Sequence, residues 1–143
     1  MKRTATAIWK GSGKEGKGTL TTQSGVFKEQ PYSFRLRFEN EDGKLGTNPE
    51  ELIGAAHAGC YNMALAVQLS QAGYTAEELN TTATVTLENP GDGFAITTIN
   101  LNLTAKVPDI TESQFRELAE GAKAGCPVSK VLNADITLNI NFK

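Results

Sequence analysis

One helical segment, running from Asn48 to Gly73, limits the possible folds of this chain more than any other feature of its sequence. Asn48 is a favourable N-cap residue, Pro49 suits the first helical position, and Glu51 stands at the capping-box position three residues after the cap. The helix should therefore run from Pro49 to about Ala72 and end at Gly73. Because it is apolar on almost every side, we expect it to be buried at the centre of the fold.

The same helix carries His57 and Cys60, which a helix built only for packing does not require. Gly54 and Gly59 each cost about 1 kcal/mol relative to alanine inside a helix. These glycines indicate either the close approach of another element or a break in the helix just before Cys60.

The rest of the chain is rich in alternating apolar and polar residues, the pattern of half-buried β-strands. The predicted strands are Thr4–Trp9, Gly18–Ser24, Tyr32–Phe38, Thr81–Glu88, Phe94–Val107 and Asp135–Phe142. In Tyr32–Phe38 the alternation is strict, so that Arg35 and Arg37 would share one face of the strand. The turn sequence NPGDG predicts a hairpin between the fourth and fifth strands.

Two shorter helices are predicted near the C-terminus. Thr111 and Gln114 form a capping box at the start of the first, and Pro127 begins the second directly after Cys126. Strands are thus followed by a helix, a hairpin, two helices and a last strand. This order predicts a single α+β domain over residues 1–143, with its helices segregated from its sheets.

Composition and charge argue against several classes of protein. The 14 Lys and Arg residues face 16 Asp and Glu residues and form no basic run, so that we expect no nucleic-acid surface. No apolar stretch is long enough for a signal peptide or a membrane span, which predicts a cytoplasmic protein without a membrane partner. One histidine and two distant cysteines are too few for a closed zinc site unless carboxylates or a second chain complete it.

The two cysteines, Cys60 and Cys126, leave three interpretations open: a redox-active pair, a nucleophile, or two buried structural thiols. Cys126 directly precedes a predicted helix, where N–H groups and the helix dipole favour a thiolate. Cys60 lies about three turns inside its own helix, so that a reactive Cys60 would need a nearby cation. The arginines of the chain are Arg3, Arg35, Arg37 and Arg116.

His57 precedes Cys60 by three residues, so that the two side chains can lie on one helical face. This spacing allows a Cys–His nucleophile of the kind that hydrolases use. The simpler interpretation is a histidine that is packed or hydrogen-bonded in the fold, because no third group is placed to orient the pair.

Two segments resemble the cysteine motifs of a known family. TNPEELIGAAHAGCYNMALA, residues 47–66, and AEGAKAGCPVSKVL, residues 119–132, are similar to the motifs of the osmotically inducible protein C and organic hydroperoxide resistance family. The resemblance extends over essentially the whole chain. It implies strongly curved antiparallel sheets around two central helices, assembled as an intertwined homodimer with active sites at the subunit interface.

The resemblance also implies an activity, the thiol-dependent reduction of organic hydroperoxides, and more weakly of hydrogen peroxide, in defence against stress that includes osmotic stress. Cys60 would be oxidised to a sulfenic acid, and Cys126 would convert it to a Cys60–Cys126 disulfide. A dithiol, such as a lipoyl-type donor, would restore both thiols by exchange. No haem, flavin, metal or other cofactor is expected.

The family's glutamate falls on Glu50 and its arginine on Arg37, with Arg35 as the alternative. Arg37 is followed by phenylalanine, as in the osmotically inducible branch, whereas the glycine-rich stretch Gly11–Gly18 contains lysines but no arginine. Glu50 would hold Arg37 in a bidentate pair, and Arg37 would stabilise the Cys60 thiolate and the leaving oxygen. Because Glu50 and Cys60 are separated by about 15 Å on a straight helix, this arrangement needs a helix break or a second subunit.

An organic substrate also needs an apolar surface beside the thiol. The residues of the long helix expected to build it are Leu52, Ile53, Met63, Leu65 and Val67. Most of these residues must belong to the core whatever the function, so that only those nearest to Cys60 could line a pocket.

Two other functions are compatible with the same residues. A redox-responsive binding protein could use a Cys60–Cys126 disulfide to switch a partner surface, and it would be oxidised once rather than turn over. A hydrolase could use Cys60 with His57 and would not need Cys126.

Overall fold

Strands and helices follow each other in blocks along the chain, as an α+β architecture requires. In the computed structural model, which describes residues 1–143, the elements are β1 (Ala5–Lys10), β2 (Lys17–Thr22), β3 (Gln30–Ser33), α1 (Phe34–Phe38), α2 (Pro49–Gln71), β4 (Glu78–Glu88), β5 (Ala95–Lys106), α3 (Glu112–Gly125), α4 (Pro127–Val131) and β6 (Asp135–Phe142). The predicted α+β class is confirmed. The chain divides into two compact units, Met1–Leu52 and Ile53–Lys143, and a single domain over the whole length stays a prediction.

The first unit contains an antiparallel sheet in the order β1-β2-β3. Strand β1 lies at its edge, and all six of its residues are exposed. Trp9 of β1 packs across the sheet against Tyr32 of β3, with ring centroids 5.4 Å apart. This sheet therefore presents aromatic side chains close to the start of α1.

The predicted strand Tyr32–Phe38 is wrong beyond Ser33, where the chain turns into α1. The Ser33 hydroxyl accepts a hydrogen bond from the N–H of Leu36 at 3.2 Å, which caps the new helix. Phe34 and Phe38 then become neighbours one turn apart, with ring centroids 4.7 Å apart. These two local interactions outweigh the alternation of the sequence, and they separate the side chains of Arg35 and Arg37.

Helix α2 begins and ends close to its predicted limits. The Asn48 side chain accepts from the N–H of Glu51 at 2.8 Å, while the Glu51 carboxylate accepts from the Thr47 hydroxyl at 2.7 Å instead of closing the capping box. At the other end Gly73 has φ of +88°, the left-handed conformation that stops a helix. The helix is continuous, so that the break considered before Cys60 does not occur.

Gly54 allows strand β4 to pack closely on the part of α2 that belongs to the second unit. A β-carbon at this position would lie 3.3 Å from the carbonyl oxygen of Ala83 on β4, whereas one at Gly59 would meet nothing within 4 Å. Of the two explanations for these glycines, close approach therefore holds at Gly54.

The second unit contains a sheet in the order β4-β5-β6. The predicted hairpin joins β4 and β5 in antiparallel register, but β6 lies parallel to β5 and departs from the antiparallel pairing that the family resemblance implied. The crossover through α3 and α4 returns the chain to the same end of the sheet, which is the condition for a parallel pair.

A buried core joins α2 and α3 to this sheet. Its fully or almost fully buried members include Tyr61, Leu65, Leu69, Ile99, Leu101, Leu103, Phe115, Ala119 and Ala122. The hydroxyl of Tyr61 on α2 donates to the carbonyl of Ala119 on α3 at 3.3 Å. This packing fixes the two helices that carry the cysteines.

Candidate active site

The two cysteines meet in the second unit although 66 positions separate them in the sequence. Their Sγ atoms lie 2.9 Å apart, and both thiols are free. Cys60 projects from the middle of α2 and is half-buried, while Cys126 lies at the junction of α3 and α4 and is fully buried. The separation is only about 0.9 Å longer than a disulfide bond, so that the pair is placed to form one.

The surroundings of the two thiols push their pKa values in opposite directions. Burial and the hydrogen bond with Cys126 raise the pKa of Cys60, against a smaller opposing effect of the N–H of Val128. Burial alone would also raise the pKa of Cys126, but the hydrogen bond with Cys60 and the backbone and hydroxyl groups of Ser129 outweigh it and lower that pKa. Hydrogen bonding therefore lowers the pKa of Cys126 relative to that of Cys60.

His57 is fully buried, and its ring is hydrogen-bonded to Ser129 rather than to Cys60. Its Nε2 atom lies 2.8 Å from the Ser129 hydroxyl, and its Nδ1 atom is buried without a partner. Burial lowers the pKa of His57, which favours the neutral ring. The geometry thus agrees with a hydrogen-bonded histidine and not with a Cys–His nucleophile.

Arg37 and Glu50 form a two-point ion pair within the first unit. The Nη2 and Nε atoms of Arg37 donate to the two carboxylate oxygens of Glu50 at 2.6 and 3.2 Å. The Glu50 side chain is only 13% exposed. The guanidinium carbon also lies 4.9 Å from the ring centroid of Phe38. This pair is the bidentate arrangement that the sequence interpretation expected.

Arg35, the alternative arginine, projects into solvent. Its guanidinium is paired with Glu15 at 3.4 Å and with Glu39 at 3.7 Å, and its side chain is 67% exposed. A charge so accessible to water stabilises a neighbouring anion weakly. Of the two arginines on α1, Arg37 is therefore the better candidate.

An apolar pocket of about 210 Å³ lies beside Arg37 in the first unit. It is lined by Trp9, Gly13, Tyr32, Ser33, Phe34, Arg37, Phe38, Thr47, Asn48 and Pro49. The sequence interpretation missed its aromatic residues, although three of them flank the arginines in the segment YSFRLRF. The predicted apolar wall on α2 does not line this pocket: Leu65 belongs to the core, and Met63 and Val67 are exposed.

No group of three or more His, Cys, Asp or Glu side chains is arranged to bind a metal ion. None of the helices combines the length and the apolar character needed to cross a membrane.

The sequence of this chain is similar to those of OsmC-like and organic hydroperoxide resistance proteins. The family model described as OsmC-like protein matches residues 40–141. Peroxiredoxin OsmC of Escherichia coli is 53% identical over 137 residues, which cover 96% of this chain and 94% of that protein. The organic hydroperoxide resistance protein OhrB of Bacillus subtilis is 25% identical over 127 residues, 88% of this chain and 89% of that protein.

Solved structures share the fold. The crystal structure of Bacillus subtilis OhrB matches with a TM-score of 0.70 at 25% identity over 96% of this chain and 98% of that one. An OsmC-like protein of unknown function from Vibrio cholerae matches with a TM-score of 0.77 at 15% identity over 99% of both chains. The OsmC-like fold implied by the sequence resemblance is confirmed, and the chain belongs to the family of OsmC-like proteins.

Proposed function

We propose that the chain is a peroxidase of the peroxiredoxin type that reduces organic hydroperoxides, and more weakly hydrogen peroxide, with two cysteines. The observation that carries the proposal is the 2.9 Å separation of two free thiols, Cys60 and Cys126. The peroxidase class follows from the relatives, which are named peroxiredoxin and organic hydroperoxide resistance protein.

Cys60 is the residue proposed to attack the peroxide, because it is half-buried whereas Cys126 is buried. Its thiolate attacks the distal oxygen of the hydroperoxide, the O–O bond breaks, and the alkoxide leaves and takes a proton to become an alcohol. Cys60 is then a sulfenic acid. The Cys126 thiolate attacks the Cys60 sulfur, hydroxide leaves as water after protonation, and a disulfide joins the two residues.

This chemistry needs a cation at Cys60, because burial and Cys126 raise the pKa of its thiol. The proposed cation is Arg37, held by Glu50. Glu50 and Cys60 lie ten residues apart on the unbroken α2, about 15 Å of rise. We therefore infer that the chain works as a homodimer in which the partner subunit's Arg37 serves Cys60.

The proposed substrate class rests on the pocket beside Arg37. Its aromatic lining suits the alkyl or aryl group of an organic hydroperoxide, while the guanidinium can stabilise negative charge on the leaving oxygen. Hydrogen peroxide has no apolar group to fill this pocket, so that it should be the weaker substrate.

The catalytic cycle closes when an external dithiol reduces the disulfide. Exchange proceeds through a mixed disulfide, and a lipoyl-type dithiol is the donor that the family resemblance implies. The proposed reaction requires no bound cofactor, and its proposed role is stress defence in the cytoplasm.

A peroxide-consumption assay with dithiothreitol tests the proposal. The wild-type chain should consume many equivalents of cumene hydroperoxide, and more slowly hydrogen peroxide. The Cys60→Ser protein should consume neither, while the Cys126→Ser protein should complete one turnover and then stall. Full activity of the Cys60→Ser protein would refute the assignment, and a single oxidation without turnover in the wild type would favour the redox-responsive binding protein instead.

A further inference from the structure

The proposed peroxidase reaction leaves one buried polar pair without a role. His57 is fully inaccessible to solvent, and its hydrogen-bond partner Ser129 stands in the first turn of α4. Burial of a histidine ring is costly unless both nitrogens find partners, yet Nδ1 has none. An apolar side chain of similar size could fill the same space without this penalty.

The partner of His57 connects it to the thiols. Ser129 follows Cys126 by three residues, so that its hydroxyl and the Cys126 sulfur lie on one face of the first helical turn. Hydrogen bonding by the hydroxyl and the backbone N–H of Ser129 contributes to lowering the pKa of Cys126. A path of neighbouring polar groups thus includes His57 Nε2 and the Ser129 hydroxyl, 2.8 Å apart, and the sulfurs of Cys126 and Cys60, 2.9 Å apart, with Ser129 three residues after Cys126.

The unpartnered Nδ1 atom determines the direction of the donors along this path. A buried N–H without an acceptor is more costly than a buried lone pair without a donor. The proton of the neutral ring is therefore assigned to Nε2, which donates to the Ser129 oxygen. The hydroxyl proton of Ser129 is then free to point at the Cys126 sulfur.

We propose that His57 and Ser129 are positioning residues for the resolving step, in which a His57–Ser129 donor chain orients the sulfur of Cys126 towards Cys60. This inference rests on the proposed two-cysteine peroxidase function and assigns a second group of residues to it. Neither His57 nor Ser129 touches the peroxide, so that the reaction of Cys60 with the substrate does not depend on them.

The chemical balance of the step is simple. The Cys126 thiolate forms the S–S bond with the sulfur of the Cys60 sulfenic acid, and the S–O bond of that acid breaks. Hydroxide leaves and is protonated by solvent to water. The Cys60 sulfur is reduced and the Cys126 sulfur is oxidised, while the Ser129 proton stays on its oxygen and loses its thiolate acceptor.

Rapid-quench experiments with one equivalent of cumene hydroperoxide and no dithiol separate the two steps. Thiol alkylation followed by mass spectrometry gives the rates of sulfenic acid and of disulfide formation. We expect the Ser129→Ala protein to form the sulfenic acid at the wild-type rate and the disulfide about tenfold more slowly. The Ser129→Thr protein, which keeps the hydroxyl, should form the disulfide within about twofold of the wild-type rate.

Substitutions at His57 test the other end of the His57–Ser129 donor chain. The His57→Gln protein keeps an N–H donor near the position of Nε2 and should retain most of the disulfide rate, whereas the His57→Leu protein should behave like the Ser129→Ala protein. Equal rates of disulfide formation in the Ser129→Ala, His57→Leu and wild-type proteins would overturn the inference.

A second measurement does not depend on peroxide chemistry. In a Cys60→Ser background Cys126 is the remaining thiol, and its ionisation can be followed by ultraviolet absorbance of the thiolate. Groups facing it are Ser129 and the N–H of Val128 from α4, with residue 60 from α2. The Ser129→Ala change should raise the pKa of Cys126; an unchanged titration would overturn the inference. A wild-type chain without peroxidase turnover would instead refute the proposed function and leave this titration standing.

Discussion

Arg37 and Glu50 are joined by two parallel hydrogen bonds, of 2.6 and 3.2 Å, at the wall of an apolar pocket. Such a fork holds the guanidinium plane in one orientation, which a lysine ammonium cannot reproduce. The first prediction concerns this pair. Both Arg37→Ala and Arg37→Lys should slow the reaction with cumene hydroperoxide, by about a hundredfold for alanine.

Arg35→Ala is the matched control for this prediction. Arg35 occupies the same short helix but is mostly solvent-exposed, so that its loss should change the rate constant by no more than about twofold. Stopped-flow measurement of thiol oxidation gives both rate constants. If Arg35→Ala is the damaging change and Arg37→Ala is silent, the role passes to Arg35.

Trp9 provides a test of substrate preference. It lines the pocket beside Arg37, whereas its neighbour Ile8 points to the opposite face of the edge strand β1. Trp9→Ala should lower the ratio of kcat/KM for cumene hydroperoxide to that for hydrogen peroxide by about tenfold, since apolar contact with the substrate is lost. Ile8→Ala should leave this ratio unchanged. Equal ratios in the Trp9→Ala and wild-type proteins would remove the pocket from the substrate site.

Tyr61 should make the protein sensitive to alkaline pH. Burial, with a smaller effect of the Glu120 carboxylate, raises the pKa of Tyr61 far above its ordinary value. Below about pH 10 both states keep the phenol proton; at higher pH the unfolded chain loses it first, so that stability falls as pH rises. The free energy of unfolding in urea should therefore decrease more steeply above about pH 10 in the wild type than in the Tyr61→Phe protein, by up to about 1.4 kcal/mol per pH unit. Parallel slopes for the two proteins would contradict this.

The capping box of α3 gives a prediction about stability. The Thr111 hydroxyl accepts from the N–H of Gln114 at 3.3 Å, and the Gln114 side chain accepts from the N–H of Thr111 at 3.4 Å. Thr111→Ala should lower the free energy of unfolding by about 1 kcal/mol, while Thr111→Ser should preserve it. Urea denaturation at one fixed protein concentration provides the comparison. A Thr111→Ser protein as unstable as the Thr111→Ala protein would show that the hydroxyl is not responsible.

Features encoded by neighbouring residues were predicted well from the sequence. Asn48 and Thr111 cap their helices as expected, and Gly73 ends α2. The failure at Tyr32–Phe38 has the same local origin, since Ser33 is a cap whose signal lies inside an alternating pattern. The segment is compatible with both a strand and a helix, and the hydrogen bond from the N–H of Leu36 to the Ser33 hydroxyl favours the helix.

Features that depend on distant contacts could not be predicted from spacing. The sequence around Cys60 and Cys126 does not predict that their sulfurs lie close together, and only the family resemblance led to that expectation. The parallel pairing of β6 with β5 depends on the path of the crossover, which the strand's own alternation does not encode. Ser129 was missed because its significance comes from His57, 72 positions away in the sequence.

The small gap between the two sulfurs also bears on how the chain responds to oxidation. Closing 2.9 Å to a covalent bond requires the two sulfurs to approach each other by only about 1 Å. A disulfide formed by so small a movement would change the protein surface little, so that a binding partner could hardly distinguish the oxidised from the reduced protein. A movement this small is compatible with the repeated oxidation and reduction of Cys60 and Cys126 that we propose.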